Sequence, residues 1–167
     1  MIKKIVCHDV WGNKKEVKPE QLIFRPSVYG VLIEDGKVLL SKQWDGYDFP
    51  GGGAKVQETL EETLKREFKE ETGLKIEVGK IVYCDTFFFH PAHSKKHKNE
   101  YWNAPVFYFL VKKVGGKISV DNFSEEEKDY KDSAEWVEIE KVKDLKFYNS
   151  INSNRVVGEA LKIKNKQ

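Results

Sequence analysis

The sequence has little cysteine. Cys7 and Cys84 are its only two among 167 residues, so neither a disulfide framework nor a cysteine zinc site can be built from them. Reduced thiols are expected, which fits a cytoplasmic protein. Long apolar runs are missing too. Nothing approaches the ~18 residues of a membrane span. The opening MIKKIVCHDVWG interrupts its apolar residues with lysine, histidine and aspartate, unlike a signal peptide. Nor is there an excess of one charge. Lys and Arg number 29 against 27 Asp and Glu, net +2, so global charge gives no case for nucleic-acid binding. Repeats and linkers are absent, and no second domain is expected.

What is present suits one globular domain over residues 1–167. Hydrophobic residues make up 40%, aromatics 13% and charged residues 34%, enough for a full core under a heavily charged surface. Residues 1–24 read as an N-terminal extension, with Ile2–Val10 and Lys15–Val17 forming a hairpin around Gly12-Asn13. Val28–Ile33 and Lys37–Ser41 flank Glu34-Asp35-Gly36, a hairpin signal. The three glycines of FPGGGAK predict loop. Glu58–Thr72 has helical spacing and Gly73 stops it. LKIEVGKIVYCDTFFF reads as one or two strands, Ala104–Lys112 as a buried strand, Lys117–Val120 as a short one and Glu135–Ile139 as another. PAHSKKHKNEYW and the acidic segment 121–132 read as polar loops. Lys141–Leu145 and Asn152–Ile163 read as helices. Strands and helices without regular alternation predict a mixed-sheet α/β, or α+β, sandwich.

The helix carries charge where apolar residues belong. At ~100° per residue, Leu64 and Phe68 fall about 40° and 80° from Leu60 and define the buried stripe. Glu61, Glu62, Lys65 and Lys69 form an ordinary solvated face. Glu67 and Glu71 fall about 20° to either side of Leu60, and Glu70 about 80° away. These carboxylates repel one another at ~0.2–0.5 kcal/mol per pair. They also crowd the helix C-terminus, where the dipole favours cations. A compensating cation is implied. Arg66 offsets one charge, and a hard divalent metal suits the rest.

Gly52 to Leu74, GGAKVQETLEETLKREFKEETGL, resembles the Nudix box. Its fixed positions are all filled, by Gly52, Glu58, Arg66, Glu67, Phe68, Glu70, Glu71, Gly73 and Leu74. The flanks VYGVLIEDGKVLLSK, DFPGGG and AEWVEIEKV extend the likeness over roughly Arg25 to Leu145. The resemblance implies an α/β/α sandwich with a mixed sheet. It also implies an enzyme that uses Mg²⁺, or Mn²⁺, to hydrolyse a pyrophosphate bond in a nucleoside di- or triphosphate derivative, releasing a nucleoside monophosphate. By the same resemblance Glu67, Glu70 and Glu71 would bind the metal, with the Gly52 carbonyl as a further ligand. Arg66 would brace the carboxylates and Glu58 would tie the loop to the helix. The general base would be Glu67 or a loop carboxylate among Glu125, Glu126, Glu127 and Asp129, with Glu100 a weaker option. The competing readings are a pyrophosphohydrolase of RNA caps or 5′-triphosphates and a nucleotide-binding regulator without catalysis. Retention of every box carboxylate weighs against the second.

Substrate choice lies outside the box. Trp44 and Tyr47, beside the polar turn Gln43, Asp45 and Gly46, are candidates to stack on a base. Arg25 is a candidate to grip a phosphate. HPAHSKKHK holds three of the four histidines but no tetrahedral ligand set. It reads as an exposed loop, with a phosphate or RNA contact the less favoured alternative. The expected partner is a small nucleotide-type substrate, and the chain is expected as a monomer or homodimer.

Overall fold

The computed structural model describes residues 4–166. In chain order the strands are β1 (Ile5–His8), β2 (Lys14–Val17), β3 (Leu22–Phe24), β4 (Ser27–Glu34), β5 (Lys37–Gln43), β6 (Gly46–Asp48) and β7 (Gly51–Gly53). Helix α1 (Leu60–Thr72) follows, then β8 (Leu74–Phe89), β9 (Tyr101–Gly116), β10 (Glu135–Glu138) and helix α2 (Ser153–Lys164). The sheet runs β10-β5-β4-β9-β8-β1-β2, with β3 on β9, β6 on β5 and β7 on β4. It is mixed. The central β4 and β9 are parallel from Ser27↔Val106 to Leu32↔Val111, while β8 and β9 are antiparallel.

A parallel central pair needs both faces covered, which is why VYGVLI is apolar almost throughout. Alternate side chains serve alternate layers. Val28, Leu32, Leu39 and Val111 meet Leu64 and Phe68 of α1. Val31, Ile33, Val38, Leu40, Val106 and Tyr108 meet Val156, Val157 and Ala160 of α2. The result is the expected α/β/α sandwich.

Local chemistry sets the ends of the elements. Asp35 and Gly36, with φ of +46° and +73°, form the two-residue turn between β4 and β5. Positive φ at both positions matches the twist of the strands. Thr59 caps α1 and accepts from the Glu62 N–H at 3.2 Å, while Glu62 accepts the Thr59 N–H at 2.8 Å. Gly73, at φ +75°, ends the helix. The helix therefore starts at Leu60, and Glu58 stands outside it.

Four expectations are corrected. The glycine segment is not loop: Gly51–Gly53 pairs with Tyr29, Val28 and Ser27 as strand β7. Lys117–Val120 is not a strand. After β9 the chain turns over the end of α1, where the Ser119 N–H donates to the Thr72 carbonyl at 3.1 Å. Residues 139–144 form a 3-10 turn rather than an α-helix. The acidic segment 121–132 is not wholly solvated, since Phe123 is buried and the Lys131 side chain is 9% exposed.

Candidate active site

A cleft of about 290 Å³ opens where β7, the last turns of α1, the end of β5 and the loops 90–100 and 124–131 meet. The three glycines form one wall, and close approach explains each of them. A Cβ on Gly51, whose φ is +155°, would lie 2.1 Å from the Val28 carbonyl oxygen. On Gly52 it would lie 2.6 Å from the Glu67 carboxyl carbon, and on Gly53 2.4 Å from the Arg25 guanidinium carbon. The strand is thus stripped of side chains so that α1 and Arg25 can reach its backbone.

Glu67 and Glu71 line this cleft together. Glu71 Oε2 accepts from Ser41 Oγ at 2.9 Å and from the Gly51 N–H at 3.2 Å, and its Oε1 is ion-paired to Lys131. Glu67 Oε1 accepts from Arg66 at 2.7 Å. Burial first, and then the charge of Glu71, raise the Glu67 carboxyl above its ordinary range. Arg66 also grips both oxygens of Glu58, at 2.8 Å each, and reaches Glu70 at 3.1 Å. The bidentate contact holds the Glu58 carboxyl down to about 2. Thr63 adds a bond to Glu58 at 2.9 Å, tying the loop to the helix.

Arg66 therefore splits the box. Glu67 faces the cleft, whereas Glu58 and Glu70 do not line it. The Glu70 side chain is 41% exposed. Among the described residues, no three His, Cys, Asp or Glu side chains stand as a ready metal-ligand group. The donor set still suits a divalent ion. It consists of hard carboxylate oxygens, two of them crowded so that one is held towards its protonated form. Glu67 also lies against Gly52, where the backbone leaves room for it.

The rest of the cleft combines residues the sequence pointed to with others it did not. Arg25 is there, stacked on Trp102 at 3.9 Å, and burial lowers its pKa. Trp44 is there, stacked on Tyr130 at 4.7 Å and edge-on to Tyr148 and His93. Tyr47 is not. Successive strand residues point to opposite faces, so Asp48 takes the cleft while the Tyr47 hydroxyl donates to Glu135 at 2.8 Å. Of the loop carboxylates, Glu126 and Glu127 line the cleft. Glu125 turns to Lys128 and Asp129 to Lys95. Glu100 binds His97 and the Trp102 indole.

Sequence reasoning missed Asp48, His93, Tyr130, Lys131, Tyr148 and Asn149. Asp48 Oδ1 accepts from Asn149 at 2.7 Å and from the Phe49 N–H at 2.8 Å. Burial nevertheless pushes its carboxyl up to about 7. The His93 Nδ1 is buried with no hydrogen-bond partner among the described residues, and burial lowers its pKa. The acidic run 121–132 also holds Phe123 and Lys128, so an aromatic and a cation inside it do not by themselves single out Tyr130 and Lys131.

Comparison with known proteins places this arrangement. A family model described as "NUDIX domain" matches residues 23–156. The chain is 32% identical over 133 residues to an 8-oxo-dGTP diphosphatase of Buchnera aphidicola, covering 76% of this chain and 85% of that protein. It is 26% identical over 121 residues to an ADP-ribose pyrophosphatase of Methanocaldococcus jannaschii, covering 68% of this chain and 67% of that one. An ADP-ribose pyrophosphatase structure from Streptococcus suis superposes with a TM-score of 0.61 over 84% of this chain and 91% of that one, at 18% identity. That last likeness speaks for the fold alone.

Proposed function

Because the chain belongs to the Nudix domain family, we propose that it is a metal-dependent pyrophosphohydrolase that cleaves a nucleoside di- or triphosphate derivative and releases a nucleoside monophosphate. One observation carries this reading: Glu67 and Glu71 enter one cleft beside a side-chain-free glycine strand, in company with Arg25 and the Trp44–Tyr130 stack. Glu67, Glu71 and the Gly52 carbonyl would hold Mg²⁺ or Mn²⁺, with Arg66, itself tied to Glu58 and Glu70, bracing Glu67. Bound there, the ion would neutralise phosphate charge and acidify water.

The chain's own residues do the rest. Arg25, pressed against Gly53 next to Glu67, binds phosphate. Glu126 accepts the proton of the attacking water: its Oε1 takes the Lys95 N–H at 2.6 Å and leaves Oε2 for water, whereas Lys131 and Ser124 hold both oxygens of Glu127. The Trp44–Tyr130 stack supports the base. The basic loop favours a small nucleotide over RNA. Its Lys95 is already paired with Asp129 at 2.5 Å and its His97 with Glu100 at 2.9 Å.

The test is hydrolysis of dNTPs, oxidised guanine nucleotides, ADP-ribose, NADH, dinucleoside polyphosphates and capped RNA by the wild type, E67Q and E71Q with Mg²⁺. Release of a nucleoside monophosphate is expected, with a loss of about 10²–10³ in kcat in each variant. Equal turnover by all three proteins rejects the assigned site.

A further inference from the structure

Lys131 is the unexpected group in the cleft. Its side chain is 9% exposed, and its ammonium is paired with both Glu71 and Glu127, the latter at 2.8 Å. The second oxygen of Glu71 is already taken by Ser41 Oγ and the Gly51 N–H, at 2.9 and 3.2 Å. Lys131 is therefore the one charged partner of Glu71 among the described residues, and it occupies the oxygen those two donors leave. The backbone delivers it there. Residue 131 bridges to Gln43, the Trp44 N–H donates to the Tyr130 carbonyl at 2.9 Å, and the Asp132 N–H donates to the Lys42 carbonyl at 3.0 Å. The ammonium is held in register with the end of β5, unlike a lysine wandering on the surface.

We infer that Lys131 is a built-in counter-ion that competes with the divalent metal for Glu71. This rests on the reading of Glu67 and Glu71 as metal ligands. Glu67 already has Arg66 at 2.7 Å, but the buried Glu71 needs a cation of its own when no metal is bound, because an uncompensated buried charge is strongly penalised. Lys131 meets that need. A divalent ion brings more charge to the same oxygen and repels the ammonium, so Lys131 gives up Glu71 and stays with Glu127. The pairing lowers net metal affinity and fastens the segment carrying Glu126 and Glu127 to the cleft floor. Metal loading loosens that segment, and by linkage the fastened segment weakens metal binding by the same factor.

The test uses the full chain with Mn²⁺ as the probe. Affinity is measured by calorimetry for the wild type, K131Q, K131R and K95Q, where K95Q removes an exposed cation that pairs with Asp129 and not with Glu71. K131Q is expected to bind at least about tenfold tighter than wild type, equivalent to ~1.4 kcal/mol. K131R and K95Q are expected to stay near the wild-type affinity. A second readout needs no variant: acetylation of Lys131 by acetic anhydride, followed by peptide mass spectrometry, should be several-fold faster with saturating Mn²⁺ than without it. If K131Q fails to fold, this protection measurement decides alone. Affinity of K131Q no tighter than that of K95Q, or equal protection with and without Mn²⁺, overturns the inference while leaving the metal site standing. Absence of Mn²⁺ binding in every protein overturns both.

Discussion

Asp48 illustrates how one residue can be decisive and still invisible in a linear reading. Asp48 opens the flank DFPGGG, but nothing in that string assigns it a role. Only the fold buries it against Phe49 and Asn149 and raises it from 3.8 to about 7. An acid with a raised folded pKa holds its proton more tightly when folded. Its unfavourable contribution is absent below pH 3.8, grows as pH rises, and is complete above about 7. D48N keeps the accepting oxygen and removes the charge. Thermal unfolding of the metal-free protein should show D48N more stable than wild type above neutrality, by up to about 4 kcal/mol, with the advantage shrinking as pH falls towards 4. An advantage independent of pH would mean that Asp48 is not buried as described. Glu67 and Glu71, by contrast, were legible, because each stands one heptad from a core leucine on the same helix.

Among the elements, α1 owes its position to its own first and last residues. Thr59 and Glu62 exchange capping bonds at the start, and Gly73 closes the end. T59A should therefore lower stability by about 1 kcal/mol, seen as a lower urea midpoint at unchanged slope. A changed slope would point to a wider rearrangement. The helix and the β4–β5 hairpin were legible for the same reason: caps, turn glycines and periodicity act over a few residues. Strand β7 was not legible. Glycine weakens a strand considered alone, and here three are kept because Val28, Glu67 and Arg25 press against them. The segment Lys117–Val120 failed in the opposite sense. Its apolar alternation suits a strand, but its backbone is used to close the end of α1.

Over the whole molecule, the cleft is a meeting of distant segments. Trp44 at the end of β5 stacks on Tyr130, which comes from the segment between β9 and β10, and Tyr148 comes from the approach to α2. If this assembly supports the base, W44A should raise KM by the equivalent of ~1–3 kcal/mol, with a smaller effect on kcat, in steady-state kinetics with whichever nucleotide the panel identifies. Loss of kcat alone, at constant KM, would place Trp44 outside the binding site. No helix among the described residues is long and apolar enough to cross a membrane.

The sequence by itself determined the sandwich class, the box helix and the carboxylates that break its apolar stripe. Those signals are local, written by 3.6-residue periodicity and by residues that start and stop a helix. Tertiary structure alone decided which box glutamates face the cleft, why the glycine segment is a strand, and that Lys131 sits on Glu71 sixty residues away. Such contacts depend on which strands neighbour one another and in what register, and no short window of sequence holds that information.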